Sequence, residues 1–365
     1  AEYLQRHGYK VKILNLAEWM IKNEREDVEK LLSKIDAEIY GVDLHWCVSS
    51  QGSIEVARIC KKLHPNSTVV LGGLTASCFH DEIVKEFPFI DGVFRGECEK
   101  PFLQLAESRG DKARFKEIPN LTFMDNDGKL RVNPLLKVCE DLDEYDFSQV
   151  NLIEPKDLLL TTSAGVKSWL IPIARGCSHL CRHCGGSSYS YKELFGRFKP
   201  APRSPQKIVE DILKLKEQGI EAVFLIQDPR ICGKSYWRDL FQTIKREHID
   251  LRQLGIELFD PANNEFLETA SSMKKYMSLK QVMPWRAISA AASIAPTLTC
   301  SGFSLASTGQ HTPSAISLGA DPDRVPERVM AAWVWQLTNP GITTHLLASI
   351  STSPLTSSDP TYFMT

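Results

Sequence analysis

The chain has 365 residues, 43% hydrophobic and 24% charged, so it can bury a sizeable core and divides most naturally into two domains. Its 43 Lys and Arg against 45 Asp and Glu leave a net charge of -2, which gives no general electrostatic affinity for nucleic acid or an anionic membrane. No apolar run reaches the roughly 18 residues of a membrane span, and Ala1 to Gly8 lacks the basic flank and apolar stretch of a secretion signal; a soluble cytoplasmic protein is expected.

The first hundred residues alternate helical and strand-like patterns. Leu4 to Gly8 reads as the tail of a helix with no strand before it, so a first strand is expected to be missing. Strands are predicted around Val11 to Leu14, Ile39 to Val42, Val69 to Leu71 and Val93 to Phe94, with a helix over Ile54 to Leu63 between them. Alternating β and α units of this kind build a parallel sheet whose carboxyl edge is the usual ligand site. Gly72 and Gly73, just after the strand Val69 to Leu71, let a backbone approach a ligand there, although a tight turn would also use them.

Residues 106–165 read as a linker carrying a β-hairpin, with Pro119 to Phe123 and Leu130 to Val132 flanking Asp125-Asn126-Asp127-Gly128. A second β/α series opens at Trp169 to Ala174. Ser204 and Pro205 start a helix with Ile208, Ile212 and Leu215 on one face, and Gly219 ends it. Ala222 to Ile226, Leu254 to Leu258 and a short Tyr276 to Leu279 are the further strands, separated by a helix at Tyr236 to Arg246. Repeated units suggest a barrel with its reactive groups at the strands' carboxyl ends.

After residue 280 the composition breaks: 7 of the last 85 residues are charged, none is Lys, and 23 are Ser or Thr. A disordered tail is one reading and a translation in a shifted frame is the other. Codon degeneracy lets Trp285 to Cys300, read two nucleotides out of frame, encode Glu-Ser-His-Gln followed by a basic stretch.

Of ten cysteines, only Cys177, Cys181 and Cys184 have ligand-like spacing. Three thiolates are one short of a closed four-cysteine site and would leave one iron of a cubane cluster open to a substrate or cofactor. Structural zinc, which takes four ligands, is the alternative, with His179 and His183 as extra donors in the same loop.

Cys-x3-Cys-x2-Cys immediately after a strand resembles the radical S-adenosylmethionine signature. The resemblance implies a 4Fe-4S cluster on Cys177, Cys181 and Cys184 whose open iron chelates S-adenosylmethionine, with Gly185, Gly186 and Ser187 admitting the methionine moiety. Upstream, Asp43 to Ser50, Leu71 to Ser77 and Phe94-Arg95-Gly96-Glu97 resemble the cobalamin-binding domain that precedes some radical enzymes. Together they imply an α/β protein with a Rossmann-like (flavodoxin-like) cobalamin-binding domain over 1–105. The linker and a partial radical S-adenosylmethionine (β/α)6 TIM-type barrel over 166–280 follow, then an atypical tail over 281–365. The implied cobalamin contacts are His45, Ser49, Ser50, Gly72, Gly73 and Thr75, and Asp228 would touch S-adenosylmethionine.

Val48 occupies the glycine position of the Asp-x-His-x-x-Gly cobalt-ligand signature, so His45 is equally readable as a packed residue at a strand end. Asp228 before Pro229 is equally readable as a cap, Cys232 reads more readily as an inert small residue than as a catalytic thiol, and Arg197 and Arg203 are candidate carboxylate- or phosphate-binding groups, although exposed arginines commonly bind neither. Glu257 and Asp260 follow the third barrel strand on the cofactor side. The function implied is radical chemistry for methyl transfer to, or rearrangement of, an unactivated carbon of a small-molecule substrate, with a flavodoxin or ferredoxin-type electron donor. The alternatives are a noncatalytic iron-sulfur or zinc-binding fragment, and a first module that holds another nucleotide-like ligand.

Overall fold

The computed structural model describes residues 1–23, 27–154, 165–182 and 184–273, and the backbone of three further strands near the C-terminus. In chain order the strands are β1 (Ile13–Asn15), β2 (Ile39–Asp43), β3 (Thr68–Gly72), β4 (Gly92–Phe94), β5 (Leu121–Met124) and β6 (Leu130–Val132). They continue with β7 (Ser168–Pro172), β8 (Ala174–Arg175), β9 (Ala201–Pro202), β10 (Ala222–Ile226) and β11 (Gln253–Ile256). The last three are β12 (Thr297–Cys300), β13 (Phe303–Ala306) and β14 (Tyr362–Met364).

The first sheet is built on the parallel ladder β2-β3-β4, with Ile39 to Asp43 paired to Thr68 to Gly72. Val69, Val70 and Leu71 are each at most 1% exposed, as expected of a central parallel strand covered on both faces. Between β2 and β3 the helix Ser50–Leu63 buries Val56, Ala57, Ile59 and Cys60, one face at helical spacing. Asn15 caps the helix Leu16–Lys22 by accepting from the Glu18 amide at 3.1 Å. β1 and β2 are not hydrogen-bonded to each other; β14 lies between them, antiparallel to both.

The hairpin β5-β6 forms where the Asp125 to Gly128 turn put it, but it is no free linker element. β5 pairs antiparallel with β4, Val93 opposite Thr122, so the hairpin extends the first sheet. The exposed edge of β4 is covered in this way, and Phe94, Phe115, Leu121 and Phe123 make a core beneath it.

The second module is the parallel sheet β11-β10-β7. Ser204 accepts from the Lys207 amide and Pro205 opens the helix Pro205–Glu217, as its sequence dictates. Gly219, at φ +80, turns the chain after it. Ile208, Ile212 and Leu215 pack from this helix, and Leu240 and Phe241 from the helix Lys234–Arg246, against Ile171, Leu225 and Ile256. The strand expected at Tyr276 to Leu279 and nearly all of residues 281–365 lie outside the described residues. Of the tail only the backbone of β12, β13 and β14 is described, β12 and β13 as an antiparallel pair. No helix among the described residues is long and apolar enough to cross a membrane.

Candidate functional site

Two carboxyl edges meet. On the first module, the segments after β2 and β3 interlock: the Leu44 amide donates to the Gly72 carbonyl at 2.7 Å and the Ala76 amide to the Leu44 carbonyl at 3.1 Å. Gly73 has φ +117, and a Cβ there would stand 2.7 Å from the His45 backbone. Only glycine lets these two segments close on each other. The Thr75 hydroxyl donates to the His45 carbonyl at 3.0 Å, fixing the His45–Trp46 corner. Ser50 donates to the Cys47 carbonyl at 2.7 Å, Ser53 to the Asp43 carbonyl at 2.7 Å, and Ser49 is half-buried. Gly72, by contrast, has room for a side chain, with Phe94 Cβ 4.0 Å away.

Burial sets the charges at this edge. It lowers His45 to about 4, leaving a neutral imidazole at physiological pH, the form that can ligate a metal. It raises Asp43 to about 6. The His45 and Trp46 rings meet edge to face at 4.7 Å between centroids.

On the second module the chain leaves β8 directly into the cysteine loop. Cys177 and Cys184 are half-buried and Cys181 is exposed. The Cys177 sulfur accepts from the His179 amide at 3.4 Å, and the Cys184 amide donates to the Cys181 carbonyl at 3.3 Å. Burial raises Cys177 and pushes Cys184 up to about 12, with the neighbouring thiols adding to both shifts. Burial alone favours the neutral thiol form here, as it does at the other buried cysteines. Among the described residues no three His, Cys, Asp or Glu side chains stand within joint reach of one metal ion; His183 lies outside the described residues. The donor set nevertheless fits a thiolate-held iron-sulfur cluster, being three sulfurs on one loop of eight residues.

The loop touches the opposite edge. A Cβ on Gly185 would lie 4.0 Å from the Trp46 ring, and one on Gly186 would lie 3.8 Å from the Cys184 sulfur and 3.9 Å from Leu74. Trp46 and Leu74 of the first module therefore stand next to Gly185 and Gly186 of the cysteine loop. Ser187 is 3% exposed and caps the helix Ser188–Phe195, accepting from the Ser190 amide at 3.3 Å. Its hydroxyl oxygen is committed to the fold.

Asp228 is likewise engaged. At 1% exposure it accepts from the Arg230 amide at 2.9 Å, from the Phe259 amide at 2.8 Å and from the Arg230 guanidinium at 2.5 Å. Its carboxylate serves as the cap before Pro229. Cys232 is half-buried, and burial pushes it up to about 12, an inert thiol. Arg197 and Arg203 bind carboxylates, but the chain's own. Arg197 donates to Glu97 at 2.6 and 2.8 Å, and Arg203 to Asp211 at 2.6 Å with both side chains fully buried. They are therefore not free to recognise a ligand's carboxylate or phosphate.

Glu257 carries more weight than its sequence position implied. It follows β11, is 4% exposed, accepts from the Gln227 amide at 2.8 Å, and is raised to about 7 by burial. The Gln227 Oε1 beside it is buried without a hydrogen-bond partner. Asp260 reaches back to the cysteine loop, 3.4 Å from His179 Nδ1. The residues that sequence reasoning missed are Glu99 and Arg175, which join the two modules next to Cys177. The signal available was a charged residue at the end of β8 and another at the start of the helix after β4.

These features define a Rossmann-like module set edge to edge against a β/α module bearing a three-cysteine loop. Residues 1–106 match the family described as the B12 binding domain. The chain is 27% identical to an uncharacterized methyltransferase of Pyrococcus horikoshii over 226 residues, 62% of this chain and 47% of that protein. It is 29% identical to the anaerobic magnesium-protoporphyrin IX monomethyl ester cyclase of Rubrivivax gelatinosus over 197 residues, 52% of this chain and 34% of the cyclase. The fold matches the radical S-adenosylmethionine methyltransferase TsrM of Kitasatospora setae, a structure with cobalamin and a [4Fe-4S] cluster bound. That match has a TM-score of 0.56 at 18% identity and covers 76% of this chain and 54% of TsrM. The chain spans about half or less of the length of these relatives. The first module matches the B12 binding domain over residues 1–106, and the chain as a whole shares its α/β fold with TsrM.

Proposed function

We propose that this chain works as a cobalamin-dependent radical S-adenosylmethionine enzyme. Cys177, Cys181 and Cys184 hold a 4Fe-4S cluster, and the edge formed by His45, Ser49, Ser50, Gly72, Gly73 and Thr75 holds cobalamin. The observation that carries this reading is the direct apposition of the two edges, Gly185 against Trp46 and Gly186 against Leu74. When bound, the cluster supplies the electron that cleaves S-adenosylmethionine to a 5'-deoxyadenosyl radical, and cobalamin supplies a methyl carrier.

The chain's own residues position and shield. Gly185 and Gly186 leave backbone open beside Cys184 where a ligand's polar groups can approach. Trp46 and Leu74 close the space between the edges and keep water from it. Gln227 and Glu257 offer acceptors at the carboxyl ends of β10 and β11. A cytoplasmic setting, where thiols stay reduced, suits the site. The reaction proposed is methyl transfer to, or rearrangement of, an unactivated carbon of a small molecule, with electrons from a flavodoxin or ferredoxin-type donor. The methyltransferase relative supports methyl transfer, and the cyclase relative supports ring formation as a related outcome.

The test is 5'-deoxyadenosine release from S-adenosylmethionine by the anaerobically loaded chain under a chemical reductant, with a Cys177→Ala control. Release above the control supports the reading. Equal traces in both, with zinc in the parent protein, favour the noncatalytic metal-binding fragment. A parallel titration with hydroxocobalamin in competition with nucleotides tests the first module's ligand.

A further inference from the structure

Four charged side chains join the modules beside the cysteine loop. Glu97 and Glu99 follow β4 in the first module, Glu99 opening the helix Glu99–Ser108. Arg175, two residues before Cys177, pairs with Glu99 and stands 3.6 Å from Glu97 Oε2. Arg197 donates through Nε and Nη2 to Glu97 Oε1, and through Nη2 to the Cys139 carbonyl at 2.6 Å. Gly176, the residue immediately before Cys177, lies on the Arg197 stem. With φ +91, it would bring a Cβ to 2.9 Å from Arg197 Cδ and 3.2 Å from Pro200 Cα. Two carboxylates of the B12-type module thus grip the approach to Cys177 twice, once through Arg175 and once through Arg197 and Gly176.

The arrangement is not one that maximises stability. The Arg175 and Arg197 Nη1 atoms are buried and make no hydrogen bond among the described residues, their carboxylate neighbours Glu97 and Glu140 standing off at 3.6 and 3.9 Å. Apolar side chains of the same volume would hold two modules together as well or better. What charged, directional hydrogen bonds add is a fixed geometry. We propose that Glu97, Glu99, Arg175 and Arg197 form an inter-module clasp that fixes Cys177 relative to the His45–Trp46 and Gly73–Thr75 edge, and so sets the separation of the two cofactors. These are positioning residues. The proposal takes from the functional reading only that Cys177 is a cluster ligand.

The test begins with hydrogen–deuterium exchange on the cofactor-free full chain. Glu97→Gln removes the charge while keeping the shape and should speed exchange over 176–187 by roughly ten-fold, the loss of one charge-assisted hydrogen bond appearing as local opening. The helix Pro205–Glu217 should not change. Arg197→Lys, which keeps charge but loses the guanidinium geometry, should be as fast or nearly so. Unchanged exchange over 176–187, or equal acceleration in that helix, overturns the clasp. Should Glu97→Gln fail to fold, Glu99→Gln, at a less buried position, is read by the same criterion. In the loaded chain, Glu97→Gln should also alter the magnetic broadening of the cobalt signal by the reduced cluster at equal cofactor content; unaltered broadening contradicts the proposal. A chain that loads no cluster defeats the functional reading and leaves the exchange result to judge the clasp.

Discussion

Gly73→Ala is the most informative single change, because two separable costs meet at that residue. Its backbone at φ +117 and ψ 179 lies in a region that essentially only glycine occupies, costing an L-residue of order 1–3 kcal/mol. A Cβ would in addition stand 2.7 Å from His45 Cα, His45 N and Leu44 C, all backbone atoms that no rotamer change can move. Adding about 1–3 kcal/mol for that overpacking gives a total loss of roughly 2–6 kcal/mol. Gly128→Ala is the control. Gly128 has φ +71 but nothing within 4 Å of a Cβ, so it should lose only about 1–2 kcal/mol. Urea denaturation of parent and variants reads both, and hydroxocobalamin titration should show weakened binding in Gly73→Ala alone. Equal losses in the two variants, or unimpaired cobalamin binding in Gly73→Ala, would refute the claim that the close approach at His45 shapes the site.

Arg203→Met should cost about 3–5 kcal/mol in urea, because it strands the fully buried Asp211 carboxylate, whereas Arg203→Met with Asp211→Leu should recover most of the loss. Recovery of none would deny that the charge imbalance is the cause. Glu257, raised by burial to about 7, should make stability fall as pH rises from about 4.5 to 7, since the folded state keeps a proton that the unfolded chain has released. The full swing is about 3 kcal/mol. His45, lowered to about 4, acts in the opposite sense between about 4 and 6.5, so the difference between Glu257→Gln and parent isolates the carboxyl. Glu257→Gln should be more stable than parent at pH 8; equal pH profiles would place the Glu257 carboxyl in water.

What could be read from sequence was local. The helix Pro205–Glu217 was legible because its Ser204 cap, its Pro205 start and its apolar face all lie within one short segment. Ala222 to Ile226 came out with its bounds because a parallel strand covered on both sides is a continuous apolar run. The hairpin was legible as a turn but misplaced as a linker, since its pairing to β4 joins Val93 to Thr122 across the intervening helix. Arg197 looked like a ligand-binding arginine for the same reason: its carboxylate, Glu97, is 100 residues away in the chain. Asp228 shows the converse: it has the right residue type beside the cofactor edge, yet its carboxylate is used as a cap, and sequence spacing alone does not separate those uses.

The most direct test of the central claim is electron paramagnetic resonance of the chain after anaerobic reconstitution with iron and sulfide and reduction, recorded with and without S-adenosylmethionine. A 4Fe-4S signal that changes when S-adenosylmethionine is added, and is lost in Cys177→Ala, is the expected result. A zinc-loaded chain with no cluster signal, or a cluster signal indifferent to S-adenosylmethionine, would contradict it.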